Sequence, residues 1–490
     1  MRLLFFIAFA AFINLILALP VYATGPTNYT YTYNEWLTPV PSPDAYRVAD
    51  FVLGENLGIG RFDRPQDLAF HDDKIYVADT FNNRIVILTG SRPARVLQII
   101  DSVIMPDGSE SGFDRPHGVF VSNWDGFFGQ IWIADTHNQR ILRIDGEETL
   151  NVIDIIDRSK MDNSLLAENL DFLPQKLAVD FSERLFLQAQ HVNRGLMEFD
   201  SNGYFSGYMG APPVEVSPID QFWRLIATRE QRERRALFVP IEYNNITVDS
   251  QSFLYVTTAS SDVDPVRRLN AMGADVMIRN GMQEPIGDSW YGTAAGISGP
   301  SQFIDVAPLP NDSFAVFDRN RGRIFAYDSQ GELLYAWGGV GNREGFFMSP
   351  TALIADGLTL FALDAATGAI TRFELTEYGR YVNAAMDMYR LGLYDQSVHY
   401  WQEVMRMNGN FGLSYIGMAR AYLRQGEYLL AMDLFRSQNS YINYGRAFGF
   451  FRRQWMEENF WIFIVVLAGL VIVPWTTRNV IRIRKEILES

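Results

Sequence analysis

The side chains able to do chemistry are few and scattered. The 490 residues contain five histidines and no cysteine. Thiolate nucleophiles, a disulfide framework and cysteine-ligated zinc are therefore excluded. Metal catalysis would need several imidazoles or carboxylates converging on one point. His71, His137 and His191 fall in or beside turn-rich stretches, and an isolated imidazole is far more often structural than a ligand. There is no Gly-x-Ser-x-Gly elbow and no phosphate-binding glycine loop. Four aspartates stand out instead. Asp79 ends the run Ile-Tyr-Val-Ala, Asp135 ends Ile-Trp-Ile-Ala, Asp318 ends Phe-Ala-Val-Phe and Asp364 ends Leu-Phe-Ala-Leu. Carboxylates can act as acid and base, but these recur with the strand-like runs that they close. An aspartate at the end of a strand bonds nearby turn amides, so they read as turn caps.

The aspartates belong to a longer repeat. Residues 75–85 and 131–141 are near copies, and each follows a proline entry, Phe62-Asp-Arg-Pro65 and Phe113-Asp-Arg-Pro116. Degenerate copies begin at Leu185 and Phe253, and clearer ones at Phe314 and Leu360, the last with its own Phe347-Met-Ser-Pro350 entry. Spacings start at 46 residues, from Asp318 to Asp364, which suits blades of about four strands. These residues resemble the NHL repeat family, whose repeats form β-propellers. The resemblance covers residues 45–376 and implies a mainly β fold, a six-bladed β-propeller in which each blade's first strand lines a central channel. Residues 45–53 read as a lone strand that would complete the sixth blade and leave no open edge. The entry positions that would line the channel mouth are Gln66 and Asp67, His117, Gln175, Asn244 and Asn245, Gln302, and Thr351. With one histidine and one acid among them they suit neutral hydrogen bonding to a carbohydrate better than a metal. No catalytic residue, metal or cofactor is assigned. The rival reading is an enzyme, since propellers of similar architecture include metal-dependent lactonases and zinc lyases.

The remaining segments place this unit. Net charge is −15, which argues against nucleic-acid binding, because that needs a basic footprint. Residues 1–23 read as a secretory signal peptide and 24–44 as an extended linker. Residues 219–237 read as an inserted surface helix, while Trp124 and Trp290 mark two aromatic loops that could meet a partner. After Glu374 the apolar period changes to 3.6. Gly392 and Gly426, Ser397 and Ala431, and Trp401 and Phe435 are each 34 residues apart. With Ala421-Tyr-Leu-Arg-Gln-Gly-Glu-Tyr428 these resemble tetratricopeptide (TPR) repeats over 377–450. Leu391, Trp401, Ala421 and Phe435 are expected inside. Asn383, Asp387, Arg390, Tyr415, Met418 and Tyr422 are expected on a concave face, with Arg390 and Tyr422 as partner contacts. Residues 459–477 have the length and composition of a transmembrane helix. The tail 478–490 carries Arg478, Arg482, Arg484 and Lys485, which places it in the cytoplasm and the bulk of the chain outside. The expectation is a membrane-anchored, extracytoplasmic recognition scaffold of the bacterial cell envelope. It would bind membrane or envelope proteins, in an accessory role beside a transporter or envelope complex.

Overall fold

The computed structural model describes residues 30–34, 36, 38–161, 171–211, 242–258, 264–280, 284–289 and 299–489. The signal-peptide region, the 219–237 insertion and Trp290 lie outside the described residues. The chain divides into two units. One comprises the described residues up to Thr32 together with Tyr46–Leu375, and the other comprises Tyr33–Ala45 with the residues from Thr376 onward.

The first unit is a six-bladed β-propeller. Blade 1 is built from Asp67–His71, Lys74–Asp79, Arg84–Thr89 and Val96–Ile100, each strand pairing antiparallel with the one before it. Blade 2 (Pro116–Val121 to Val152–Ile156) and blade 3 (Pro174–Val179 to Phe205–Met209) repeat that order. Blade 4 has three strands among the described residues, Tyr243–Val248, Leu254–Thr258 and Val266–Leu269. Blade 5 runs from Phe303–Pro308 to Leu333–Gly338, and blade 6 begins with Pro350–Asp356, Thr359–Asp364 and Ala369–Leu375. The first strand of each blade neighbours that of the next, and blade 6 returns to blade 1.

The second strands are apolar on both faces because each lies between two neighbouring blades. Ile75, Tyr76, Val77 and Ala78 are all buried, as are Ile131, Trp132, Ile133 and Ala134. Burial on both faces selects continuous apolar runs over alternation. Between blades 1 and 2 the core joins Tyr76, Ile85 and Ile87 to Val119, Ile131 and Ile133. Between blades 6 and 1 it joins Phe361 and Leu363 to Phe62, Leu68 and Val77.

Both ends of the propeller meet in blade 6. Tyr46–Leu53 forms its outermost strand and pairs along Ala369–Leu375 with Ile370 opposite Val52. Tyr46 stacks on Trp337 at 4.5 Å and donates its hydroxyl proton to the Leu358 carbonyl at 3.0 Å. The stretch expected as a linker is buried at Thr30, Tyr31, Thr32 and Ser42, while Trp36, Thr38 and Pro39 are exposed. Tyr31–Tyr33 adds a strand beside Leu333–Gly338 of blade 5. The Tyr31 hydroxyl donates to Asp288 at 2.6 Å, and Arg323 reaches the other oxygen of that carboxylate at 2.6 Å. Alternating threonine and tyrosine suits an added strand as well as it suits an extended linker.

The second unit holds six helices: α1 (Glu377–Arg390), α2 (Tyr394–Met407), α3 (Gly412–Gln425), α4 (Tyr428–Ser437), α5 (Tyr441–Glu458) and α6 (Phe460–Glu489). Thr376 caps α1 by accepting the Gly379 N–H at 3.2 Å. Gly426 ends α3 in the left-handed region at φ 87°, where glycine carries no Cβ penalty. At Gly417 a Cβ would sit 2.4 Å from the Trp401 indole, so glycine is what lets α2 and α3 approach. Ile416, Ala419, Ala431, Phe435 and Ala447 form the core of α3 to α5. Ser42 also belongs to this unit, and the Asn408 amide donates to both its hydroxyl and that of Tyr378 at 3.2 Å.

Some surface assignments are corrected. Trp401, Ala421 and Phe435 are buried, but Leu391 is 60% exposed at the end of α1. Asn383 and Met418 are buried. The Asn383 amide donates to the Gly379 carbonyl one turn earlier. Tyr422 is half-buried against the α3–α5 core, while Arg390 is exposed. Helix α6 is one unbroken element past residue 477. Its segment Phe460–Lys485 contains an 18-residue stretch of mean hydropathy 2.2 with no burial within the protein. At 1.5 Å rise its 26 residues reach about 39 Å, enough to cross a bilayer.

Candidate functional site: the propeller channel and its mouth

Each blade entry is fastened to the hairpin turn that follows it. Asp79 accepts the Asp63 N–H at 2.8 Å with one oxygen, and the Asn82 amide at 2.9 Å and Arg84 Nε at 2.7 Å with the other. Asp135 repeats this with Asp114, Asn138 and Arg140, all at 2.8 Å. Asp318 accepts Gln302 and Asn320 N–H groups, and Asp364 accepts those of Ser349, Ala366 and Thr367. All four carboxylates are buried. Their turn-capping role is thus a staple between entry and turn. The staple also explains the asparagine and arginine three and five residues after Asp79 and Asp135.

The inner strands carry a feature that the sequence spacing does not reveal. In blades 2 to 6 the pairing skips one residue near the strand start, leaving His117, Gln175, Asn244, Ile304 and Thr351 unpaired as bulges. A bulge shifts the alternation of side chains by one. The residues after the bulges, Gly118, Lys176, Asn245, Asp305 and Ala352, come into line with Asp67 of blade 1. Gly118 is there because a Cβ would lie 2.2 Å from the Gln175 carbonyl oxygen.

This inner ring is a closed polar cluster. Lys176 Nζ pairs with Asp67 Oδ1 at 2.5 Å and donates to the Gln66 carbonyl at 2.9 Å. The other Asp67 oxygen accepts the Val119 N–H of blade 2 at 3.0 Å. Asp305 accepts from the Asn245 amide and the Val306 N–H with one oxygen, and from Leu353 N–H of blade 6 at 2.7 Å with the other. Asp67, Lys176, Asn245 and Asp305 are all buried. Burial pushes the Asp305 carboxyl up to about 7; Lys176 opposes this and the Asp67 charge adds to it. Burial also raises Asp67, against the pull of Lys176. His117 is pushed down to about 3, first by burial and then by Lys176 and His137, so its imidazole is neutral at ordinary pH.

The expected mouth residues therefore separate. Asp67 and Asn245 lie in the inner ring and bind neighbouring blades. Gln302 precedes its strand and donates its N–H to Asp318 at 3.0 Å; the blade 5 member of the ring is Asp305. Thr351 donates to the Pro65 carbonyl at 3.1 Å, so it joins blade 6 to blade 1. Asn244 likewise donates to Phe303 at 2.8 Å. Gln66, His117 and Gln175 are half-buried at their strand entries, and Gln188 donates to Gln175 at 3.3 Å. His117 Nδ1 and Gln188 Oε1 are buried and have no hydrogen-bond partner. Sequence reasoning missed Lys176 because of the bulge offset, Asp305 because the blade 5 entry was placed three residues early at Gln302, and Gln188 because it lies on a second strand. For Lys176 the signal was the residue after the expected entry position Gln175. Trp124 is not an aromatic rim. It is half-buried against the core of blades 2 and 3, and its indole N–H donates to Val179 at 2.9 Å. Among the described residues no three His, Asp or Glu side chains are placed to hold a metal.

The molecule is thus a six-bladed propeller with a helical unit and, among the described residues, one helix of membrane-spanning length. No family model matches the chain, and no curated protein matches it either. Solved propellers resemble it at low identity. Virginiamycin B lyase from Staphylococcus aureus is 10% identical, with TM-score 0.40, covering 68% of this chain and all of that one. The Cps50 (Swd1) β-propeller domain of Myceliophteria thermophila is 10% identical, with TM-score 0.38, over 68% of this chain and all of that one. BamB from Moraxella catarrhalis is 12% identical, with TM-score 0.33, over 64% of this chain and 86% of that one.

Proposed function

We propose that this chain is a membrane-anchored, extracytoplasmic scaffold of the cell envelope, built from NHL-type and TPR-like repeats, and that it recognises another membrane protein. The observation that carries the reading is the surface of the helical unit. Leu429 and Leu430 of α4 and Tyr441, Ile442, Phe448 and Trp455 of α5 are exposed, and α6 begins two residues after α5 ends. Large apolar side chains left in solvent mark a recognition surface, and these adjoin in sequence the segment able to enter a bilayer. The occupant that fits is an external segment of a neighbouring membrane protein. The reading contains no catalytic step, because Asp67 and Lys176 are tied to each other and to backbone, and Asp305 to Asn245 and backbone. A photo-crosslinking side chain at Leu430 or Phe448 of the full chain in living cells tests this. It should capture a membrane protein, whereas one at Phe181 on the propeller surface should not. Capture from Phe181 alone would overturn the assignment.

A further inference from the structure

The two near-identical entries place two arginines in an unusual setting. Arg64 and Arg115 have φ of 44° and 49°, the left-handed region that non-glycine residues seldom adopt. Both are exposed. Their guanidinium carbons lie 4.7 and 4.9 Å from the centroid of the same ring, Phe81. The two cations therefore lie less than 10 Å apart. Arg115 Nη1 is also 3.5 Å from His137 Nε2, and its N–H is held by Asn83 at 2.9 Å.

Neither arginine has a carboxylate partner among the described residues, whereas Arg84, Arg140, Arg143, Arg184, Arg268 and Arg323 of the same unit all do. Asp63 and Asp114 precede them in the chain, but each contributes its N–H to a staple and neither carboxylate pairs with an arginine. On a chain of net charge −15, two unpaired guanidiniums on one aromatic ring form a local cationic site. They stand two residues before Gln66 and His117; the Gln66 amide donates to the Arg64 carbonyl at 3.1 Å, and His117 Nδ1 has no hydrogen-bond partner.

We propose that Arg64 and Arg115 bind the carboxylate or phosphate of an acidic sugar, whose hydroxyls are received by Gln66 and His117. Guanidinium recognises both anions through paired N–H donors. The neutral imidazole and amide at the mouth suit hydroxyl groups, which both donate and accept. The site is independent of the partner surface on the helical unit.

Calorimetric titration of the purified full chain in detergent tests it, with glucuronate and glucose 6-phosphate as ligands. Glucose, inorganic phosphate and hexaglutamate serve as comparisons. The acidic sugars should bind at least about tenfold more tightly than glucose or phosphate, and whichever binds better identifies the anion. Binding should weaken as salt is raised. The variant R64N/R115N should lose about tenfold or more with an unchanged thermal transition, because asparagine tolerates the left-handed backbone at both positions. The proposal is overturned if neither acidic sugar binds, if binding is unaffected by salt, if the variant binds equally well, or if phosphate alone or hexaglutamate binds as tightly as the sugars.

Discussion

Lys176→Met is the most direct test of the inner ring. The ammonium is buried and pairs with a buried carboxylate, Asp67, at 2.5 Å. Methionine keeps most of the stem but leaves Asp67 ionised without its cation, beside a second buried acid in Asp305. Removing one partner of a buried pair costs about 3–5 kcal/mol, which for a domain of this size lowers Tm by on the order of 5–10 °C. Thermal unfolding of the full chain in detergent at pH 7.5, followed by tryptophan fluorescence, reads the shift. The double variant K176M/D67N removes the stranded charge and should recover most of the loss, since replacing both members of a buried pair is often neutral. The sign with pH follows from the raised carboxyls. A group whose folded pKa exceeds its unfolded value destabilises the fold above the folded pKa and ceases to do so below the unfolded one. With Asp305 near 7 when folded and about 4 when unfolded, lowering the pH from 7.5 to 5.5 should narrow the gap between K176M and the parent. A double variant no more stable than K176M, or a gap that widens on acidification, would refute the pairing.

Two further outcomes follow. Gly118→Ala should destabilise the propeller by several kcal/mol, because its Cβ would meet the Gln175 backbone carbonyl rather than a movable side chain; a melting curve within a degree of the parent would show that the inner strands can separate. Deleting residues 46–53 removes the strand on Ala369–Leu375, so light scattering on heating should show earlier aggregation through the exposed edge, whereas scattering like the parent's would mean that blade 6 needs no fourth strand.

The fold was legible because its signals are local and repeated. Ile75 to Ala78 and Ile131 to Ala134 are apolar runs ended by aspartate, and the structure makes each a middle strand sandwiched between blades. The strand at 46–53 was readable because a ring of blades otherwise leaves one strand unpaired. The channel was only half legible. Spacing located the entries, but a bulge is a property of pairing between strands, so His117, Gln175 and Thr351 were taken for the ring that Gly118, Lys176 and Ala352 form. Lys176 and Asp305 sit inside strands that read as half-apolar, and only the partner blade shows that they share one cluster. Trp124 shows a similar limit: the sequence allows an aromatic in a loop to pack or to meet a partner, and the carbonyl of Val179 accepting its indole proton shows that it packs. Tyr31 could not be read either, since Asp288, its partner, lies 257 residues away.

The closing strand also sets an order of assembly. Tyr46–Leu53 is made before every inner strand of the ring, yet among the described residues its ladder partner is Ala369–Leu375, so during synthesis it waits for more than three hundred residues to follow. Blades 1 to 3 can form hairpin by hairpin from neighbouring strands, but the ring cannot shut until the chain has passed Leu375. Joining ends so far apart incurs a loop entropy that grows only with the logarithm of length, at about 0.6 kcal/mol per doubling. The final state therefore loses little stability to this arrangement; its consequence is kinetic. Until closure, blade 6 has a bare edge on one side and the early strand remains unpaired, which is the period when a growing chain of this design is most exposed to wrong pairing.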